Sequence, residues 1–266
     1  MSTAIINREA QYSAFLLDGS GIASKVGLEL AIRGKLLSDK ADISGNSVAV
    51  TIASGQQGSV GYELNSSASN IADITDSNNT ETLIVAVNIK AMGSGAFNYS
   101  FGTTNGVIDA DAQKGNFGIH INGSVSSGNI TIYPIPLYSN AGALKPYTAT
   151  GVTTAITDAA NSKTGLMYIV ATLNRNTGVF DIAVKNKGLS ISKTLTQAEI
   201  GPSVLAARTA PLSKHWLSNA SVLGASSDAP VMMRYNRVLS PAEIEKQYQR
   251  DKTILASLGY SVGAWL

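Results

Sequence analysis

The 266-residue sequence contains no cysteine and only two histidines. Without cysteine there is no disulfide bond, thiolate metal site or cysteine nucleophile, and two histidines cannot build a histidine-rich metal site. Charged residues are scarce too, at 14% of the chain against about 25% in average soluble domains. The 20 Lys plus Arg nearly balance the 18 Asp plus Glu, so the chain lacks the basic field that gathers phosphates. We therefore expect no nucleic-acid partner.

Long apolar runs are also missing. The longest, residues 83–87 (LIVAV) and 166–173 (LMYIVATL), have the length of strands, far below the 18 or more residues of a membrane-spanning helix. Residues 1–7 are followed by Arg8 and Glu9, and no apolar stretch of signal-peptide length follows a basic start. We expect neither membrane insertion nor a secretory signal.

Glycine is abundant, with 25 residues, and Ser, Thr and Asn are frequent. From Gly27 onwards these residues separate strand-length apolar runs about every ten residues, which is the spacing of an all-β sandwich or barrel. The loop 174–178 (NRNTG) joins two of these runs into a hairpin, with Gly178 at the position that favours a left-handed backbone. Strands are predicted over residues 28–32, 47–53, 60–64, 82–89, 97–101, 118–121, 130–133, 166–173, 179–184, 189–192 and 231–235.

One long helix is predicted over about residues 241–258. Ser240 supplies a hydroxyl N-cap, Pro241 suits the first helical position, and Glu243 closes a capping box. Gly259 is placed to end the helix. At the other end of the chain, residues 1–20 mix good helix formers with apolar residues, which favours a short helix or an extended arm.

Residues 231–248 (VMMRYNRVLSPAEIEKQY) combine a last strand, Tyr-Asn-Arg, an apolar pair and a Ser-Pro-x-Glu-Ile helix start. This motif resembles the end of laminin-G-like, concanavalin A-like domains. Residues 165–188 are similar to that family's central hairpin, and residues 28–47, with the turn DISGN, to its opening strand. The resemblance implies an all-β, two-sheet antiparallel jelly-roll sandwich with a C-terminal helix. The chain would then divide into an arm or helix (1–20) and one jelly-roll domain (21–266).

The residue patterns of known catalytic sites are missing. Jelly-roll glycoside hydrolases place two carboxylates a few residues apart on one strand, and no such strand pair occurs here. Neither His120 nor His215 is accompanied by a Gly-x-Ser-x-Gly motif, and no glycine-rich phosphate loop is present. We expect no enzymatic activity.

Asp109 and Asp111 form one same-face carboxylate pair suited to calcium, with a solvated loop as the alternative interpretation. No other cofactor is expected.

Aromatic residues are the candidates for sugar binding, because aromatic rings stack on pyranose faces. Tyr133 and Tyr138 lie in a proline-bounded segment that looks too irregular for a central strand, and Tyr147 follows a second proline. His215 and Trp216 form a second candidate pair. The alternative for the Tyr/Pro segment is a loop that covers a sheet edge.

A sandwich rich in Gly, Ser, Thr and Asn, without a signal peptide or disulfides, suits a protein released by lysis. We expect a non-enzymatic bacteriophage structural protein, in a tail, a fibre or a capsid decoration of the extracellular virion. Its expected partners are other virion proteins, its own copies and cell-surface glycans. A bacterial surface or secreted carbohydrate-binding adhesin is the alternative. A polysaccharide-degrading enzyme is a third, against which the missing carboxylate pair argues.

Overall fold

The computed structural model describes most of the β-strands and the C-terminal helix. The residues it describes are 22–33, 42–46, 48, 56–57, 62–64, 69–72, 80–92, 96–104, 117–124, 129–140, 143–146, 152–155, 166–174, 176–194, 214–219, 225–257 and 259–260. Their elements are β1 (Leu28–Arg33), β2 (Gln56–Gln57), β3 (Tyr62–Leu64), β4 (Ser69–Ala72), β5 (Thr80–Met92), β6 (Ala96–Thr104), β7 (Phe117–Ser124), β8 (Asn129–Asn140), β9 (Ala143–Pro146), β10 (Val152–Ala155), β11 (Leu166–Asn174), β12 (Val179–Val184), a 3-10 turn (Lys185–Lys187), β13 (Leu189–Thr194), β14 (Lys214–Asn219), β15 (Ala225–Tyr235) and α1 (Pro241–Ser257).

The strands form two antiparallel sheets, which confirms the predicted sandwich. Sheet A has the order β13-β12-β11-β5-β15-β3-β2, and β1 also pairs with β15. Sheet B has the order β10-β8-β7-β6-β14-β4, and β9 pairs with β8. Because β7 packs near β5 and β11, the middle of sheet B lies over the middle of sheet A. Many neighbouring strands are distant in sequence, as in a jelly roll.

Sheet A is covered on both faces, which explains why β5 and β11 are apolar without alternation. On one face Ile84, Tyr168 and Met233 pack in a buried cluster with Tyr248 and Leu255 of α1. The other face lies toward sheet B. Among the sheet B side chains that the structure describes, Ile119, Ile121 and Ile132 are fully buried.

The start of α1 confirms the predicted capping box. The Glu243 amide donates to Ser240 Oγ at 3.3 Å, and the Ser240 amide donates to Glu243 Oε2 at 2.9 Å. Arg237 adds a two-pronged ion pair to the same carboxylate. This hydrogen bonding by Arg237, helped by the Ser240 amide, lowers the pKa of Glu243 to about 2. Gly259 follows the helix with φ 89°, the left-handed conformation expected of a C-terminal glycine.

The segment before β1 is tied to α1 and to the turn that precedes it. The Ala23 amide donates to Gln247 Oε1 at 2.7 Å, and Arg250 donates to the Ile22 carbonyl. Arg237 Nε donates to the Val26 carbonyl at 2.8 Å. Arg237 therefore joins the helix start to the segment before β1, in keeping with a structural role for the Tyr-Asn-Arg motif.

The DISGN turn (42–46) is hydrogen-bonded to β1. Asp42 Oδ1 accepts from the Ala31 amide at 3.0 Å and from the Ser44 amide at 2.9 Å. Asn46 Nδ2 donates to the Leu28 carbonyl at 2.7 Å. The turn therefore supplies hydrogen bonds to the edge of β1.

A buried ionic cluster on sheet A was not predicted from the sequence. Arg234 is 0% exposed and pairs with Glu81 at 3.1 Å and with Glu29. Burial lowers the pKa of Arg234 to about 9. Two carboxylates beside one guanidinium provide the compensation that a buried charge requires.

The strand predictions are confirmed wherever the structure describes them, apart from residue 48, which is described and lies in no strand, and small shifts at the ends. One interpretation is wrong: the segment containing Tyr133 and Tyr138 is not an irregular loop, because β8 runs through it. On one side, β8 pairs with β10 through residues 129–132 and with β9 through residues 137–140. Its two prolines, Pro134 and Pro136, lie between these two parts, where β8 pairs only with β7. Prolines are tolerated beside such an open side. Residues 60–61, the arm 1–20 and, apart from Val48, the predicted strand 47–53 lie outside the described residues.

Five strands were not predicted from the sequence. They are short or rich in polar residues, and four of them have no described neighbour on one side over their whole length. The five are β2, β4, β9, β10 and β14. Within the part of the chain that the structure describes, no helix combines the length and the apolar character needed to cross a membrane.

Candidate functional site

Strand register decides which residues of sheet B share a face. The pairings β14–β6, β6–β7 and β7–β8 run without a register shift, and directly paired residues of antiparallel strands lie on the same face. One row across the four strands is Leu217, Phe101, Ile119 and Pro134. Because Ile119 is fully buried, this face packs against sheet A.

The opposite face of sheet B lies away from sheet A, and we call it the outer face. Burial agrees with this assignment at β8, where Ile132 is 0% exposed and its neighbour Thr131 is partly exposed. The described register of the four strands places these residues, among others, on this face: Asn98, Ser100, Gly102, Gly118, His120, Asn122, Thr131, Tyr133, Ile135, Lys214, Trp216 and Ser218.

The outer face combines aromatic residues with amides and hydroxyls. Tyr133 is paired with His120, and His120 is paired with Ser100. Trp216 is paired with Gly102 in the neighbouring row. Since strands lie about 4.8 Å apart, Tyr133 on β8 and Trp216 on β14 are separated by about 14 Å across the sheet. That span is the size of a short oligosaccharide rather than of one sugar ring.

Sheet B is unusual in its charge. None of its seven strands contains Asp or Glu, although the whole chain has 18 of these residues. The same strands contain both histidines of the chain, His120 and His215, together with Lys145 and Lys214. Within its described strands, sheet B therefore carries basic groups and no carboxylate.

The structure separates the residues that the sequence had grouped. Register places Tyr133 and Trp216 on the outer face and His215 on the opposite one. Alternation along β8 places Tyr138 on the side opposite Tyr133. Tyr147 lies outside the described residues.

His120 was interpreted from the sequence as a structural histidine, yet it shares the outer face with Tyr133. The signal was the alternation in residues 118–122 (GIHIN), which sets the two isoleucines on one face and His120 on the other.

The proposed calcium site is outside the described residues. Asp109 and Asp111 belong to the connection between β6 and β7, which is among the residues not described. Elsewhere, in the described portion of the chain, no three His, Cys, Asp or Glu residues come together as a set of metal ligands. The calcium prediction therefore stays a prediction.

Comparisons with known proteins show the fold. No protein-family model matches the sequence, and no curated protein is significantly similar to it. The binding domain of botulinum neurotoxin DC in complex with SialylT is 11% identical, with a TM-score of 0.53, and the match covers 89% of this chain and 52% of that one. The serotype D ligand-binding domain in complex with N-acetylneuraminic acid is 14% identical, with a TM-score of 0.55 and coverage of 87% and 52%.

A sialidase from Trypanosoma rangeli has the same kind of similarity. It is 13% identical, with a TM-score of 0.53, over 94% of this chain and 39% of the sialidase. This chain therefore spans about half the length of the toxin domains and less of the sialidase. The shared feature is a lectin-like β-sandwich fold.

Proposed function

We propose that this protein is a non-enzymatic carbohydrate-binding protein whose ligand lies on the outer face of sheet B. The observation that carries the proposal is the register that brings Tyr133, Trp216 and His120 to one face among Asn, Ser and Thr residues. Aromatic rings cover the apolar faces of sugars, and amides and hydroxyls exchange hydrogen bonds with sugar hydroxyls. The similar structures with bound saccharides support the proposal at the level of fold.

The absence of acidic residues from the strands of sheet B favours binding over hydrolysis. Most glycoside hydrolases need an acid and a second carboxylate about 5–10 Å apart across the scissile bond. The described strands of sheet B offer neither group. We therefore expect no release of sugar from a bound polysaccharide, measured as new reducing ends.

We also propose that the protein is a structural component of a bacteriophage virion, in a tail, a fibre or a capsid decoration. The support is compositional: a cysteine-free sandwich rich in glycine, with charged residues at only 14%. Labelling purified particles with antibodies against this chain, viewed by electron microscopy, tests the assignment. Labelling of bacterial surfaces instead of particles would favour the adhesin alternative.

The binding proposal is tested with a glycan array, followed by calorimetry on the best saccharide. Tyr133→Ala and Trp216→Ala each remove an aromatic ring from the outer face, and we expect affinity to fall at least about tenfold. Tyr138→Ala is the matched control, because it makes the same change on the same strand but on the opposite face. Unchanged affinity in both outer-face variants, with intact folding by circular dichroism, would refute the site.

A further inference from the structure

We infer that the outer face of sheet B selects acidic saccharides, meaning sugars that carry a carboxylate or another anionic group. This inference rests on the proposed function and specifies its ligand class. Its basis is that Lys214 and His120 each lie near an aromatic residue on one sheet face whose described strand positions include no Asp or Glu.

Each of the two aromatic residues on the outer face has a basic residue near it on the same face. Lys214 lies two positions before Trp216 on β14, which places the two residues on the same face about 7 Å apart along the strand. His120 is directly paired with Tyr133 on the neighbouring strand. Each aromatic residue thus has one basic residue as a neighbour on its own face. A sugar ring at either aromatic residue could then present an acidic substituent to a basic one.

The missing carboxylates matter as much as the basic groups. A carboxylate is the usual acceptor for the hydroxyls of a neutral sugar, but it repels an anionic one. The polar residues of β6, β7 and β8 include Asn, Ser and Thr but neither Asp nor Glu. These uncharged groups still bind hydroxyls, so the face retains hydrogen bonding without repelling a negative ligand.

Sheet A shows that this charge pattern is not general to the chain. Its strands contain Glu29, Glu63, Glu81, Asp181 and Asp228. The acidic residues of the described strands are therefore confined to one sheet. A ligand on the outer face of sheet B is therefore bound by the sheet whose described strands contain no acidic residue.

The experiment compares 3′-sialyllactose with lactose, which differ by one carboxylate-bearing sugar, by calorimetry at 50 mM and 500 mM NaCl. We expect the acidic saccharide to bind at least about tenfold more tightly at low salt, and this advantage to shrink at high salt because screening weakens charge attraction. A galacturonic acid trimer and a galactose trimer repeat the comparison with a different acidic sugar.

Substitutions locate the charge that makes the difference. Lys214→Gln should lower affinity for the acidic saccharide several-fold more than affinity for lactose, whereas Lys214→Arg should retain the preference. Lys145→Gln is the matched control, because it removes the same charge from β9, where Lys145 is paired with Tyr138 on the side of β8 opposite Tyr133. His120→Gln should act in the same direction as Lys214→Gln.

The outcomes separate the inference from the function on which it rests. Equal binding of acidic and neutral saccharides would overturn the inference and leave the carbohydrate-binding function in place. No binding of any saccharide would overturn both. Equal losses in the Lys214→Gln and Lys145→Gln variants would also overturn the inference, because net charge and not this face would then govern the preference.

Discussion

Removing the charge of Arg234 should destabilise the protein more than most single substitutions. Its guanidinium is 0% exposed and lies 3.1 Å from Glu81, which is also 0% exposed. Arg234→Met keeps a long apolar stem but leaves a buried carboxylate without its cation. Breaking a buried ion pair in this way costs about 3–5 kcal/mol, a large part of the roughly 5–15 kcal/mol that stabilises a typical domain.

Guanidinium unfolding followed by fluorescence measures the loss, with the slope of the transition checked for two-state behaviour. The double variant Arg234→Met/Glu81→Leu replaces both charges by apolar groups, and we expect it to recover at least half of the loss. The deficit of the single variant should also shrink from pH 7 to pH 5, since protonation removes the uncompensated negative charge. A loss below about 1 kcal/mol in Arg234→Met, or a further loss in the double variant, would refute the reasoning.

Four further outcomes follow from the helix, its contacts and the N-terminal segment. Ser240→Ala should lower stability by about 1 kcal/mol through the lost cap, seen as a lower melting temperature with unchanged glycan affinity. Hydrogen bonding to Arg237 holds the pKa of Glu243 at about 2, below its unfolded value, so its stabilisation is present above about pH 4.5 and is lost as the pH falls toward 2. Glu243→Gln should therefore lower the melting temperature at pH 7 and change it little at pH 2. Tyr168→Phe removes a 2.6 Å hydrogen bond to a buried carboxylate and should cost about 1.5–3 kcal/mol in chemical unfolding. Deleting residues 2–18 should lower the oligomeric mass by light scattering, because their apolar residues are expected to act between chains. An unchanged oligomeric mass together with a lower melting temperature would instead indicate that residues 2–18 pack in the core of their own chain.

Features set by local chemistry could be predicted from the sequence. The helix start required only Ser240, Pro241 and Glu243, whose capping needs no distant partner. The β11–β12 hairpin followed from its loop, and Gly178 has the expected positive φ of 75°. In each case the determining residues lie within a few positions of one another, so periodicity and turn chemistry were sufficient. The laminin-G-like assignment stays a prediction, since the comparisons show the sandwich fold alone.

The candidate site could not be predicted in the same way, because it depends on pairing between distant segments. Trp216 lies beside Gly102, and Gly102 beside Gly118, only after β14 and β6 have found their register. A sequence pattern shows that Tyr133 and Tyr138 are close along the chain. Whether the two residues share a face depends on the secondary structure of the segment. In a strand, four residues between Tyr133 and Tyr138 place them on opposite faces, because successive side chains alternate. Once the prolines led to the interpretation of a loop, that rule could not be applied.

Stability and ligand binding are assigned to different parts of the sandwich. The described ion pairs and buried side-chain hydrogen bonds connect sheet A, α1 and the segment before β1, through Arg234, Arg237 and Asp251. The outer face of sheet B lies on the far side of the sandwich from α1. Among the contacts that the structure describes, those that anchor the fold therefore belong to sheet A and α1. If the ligand lies on the outer face of sheet B, as proposed, binding and these anchoring contacts occupy opposite sides of the sandwich, so substitutions such as Ser240→Ala should change stability without changing glycan affinity.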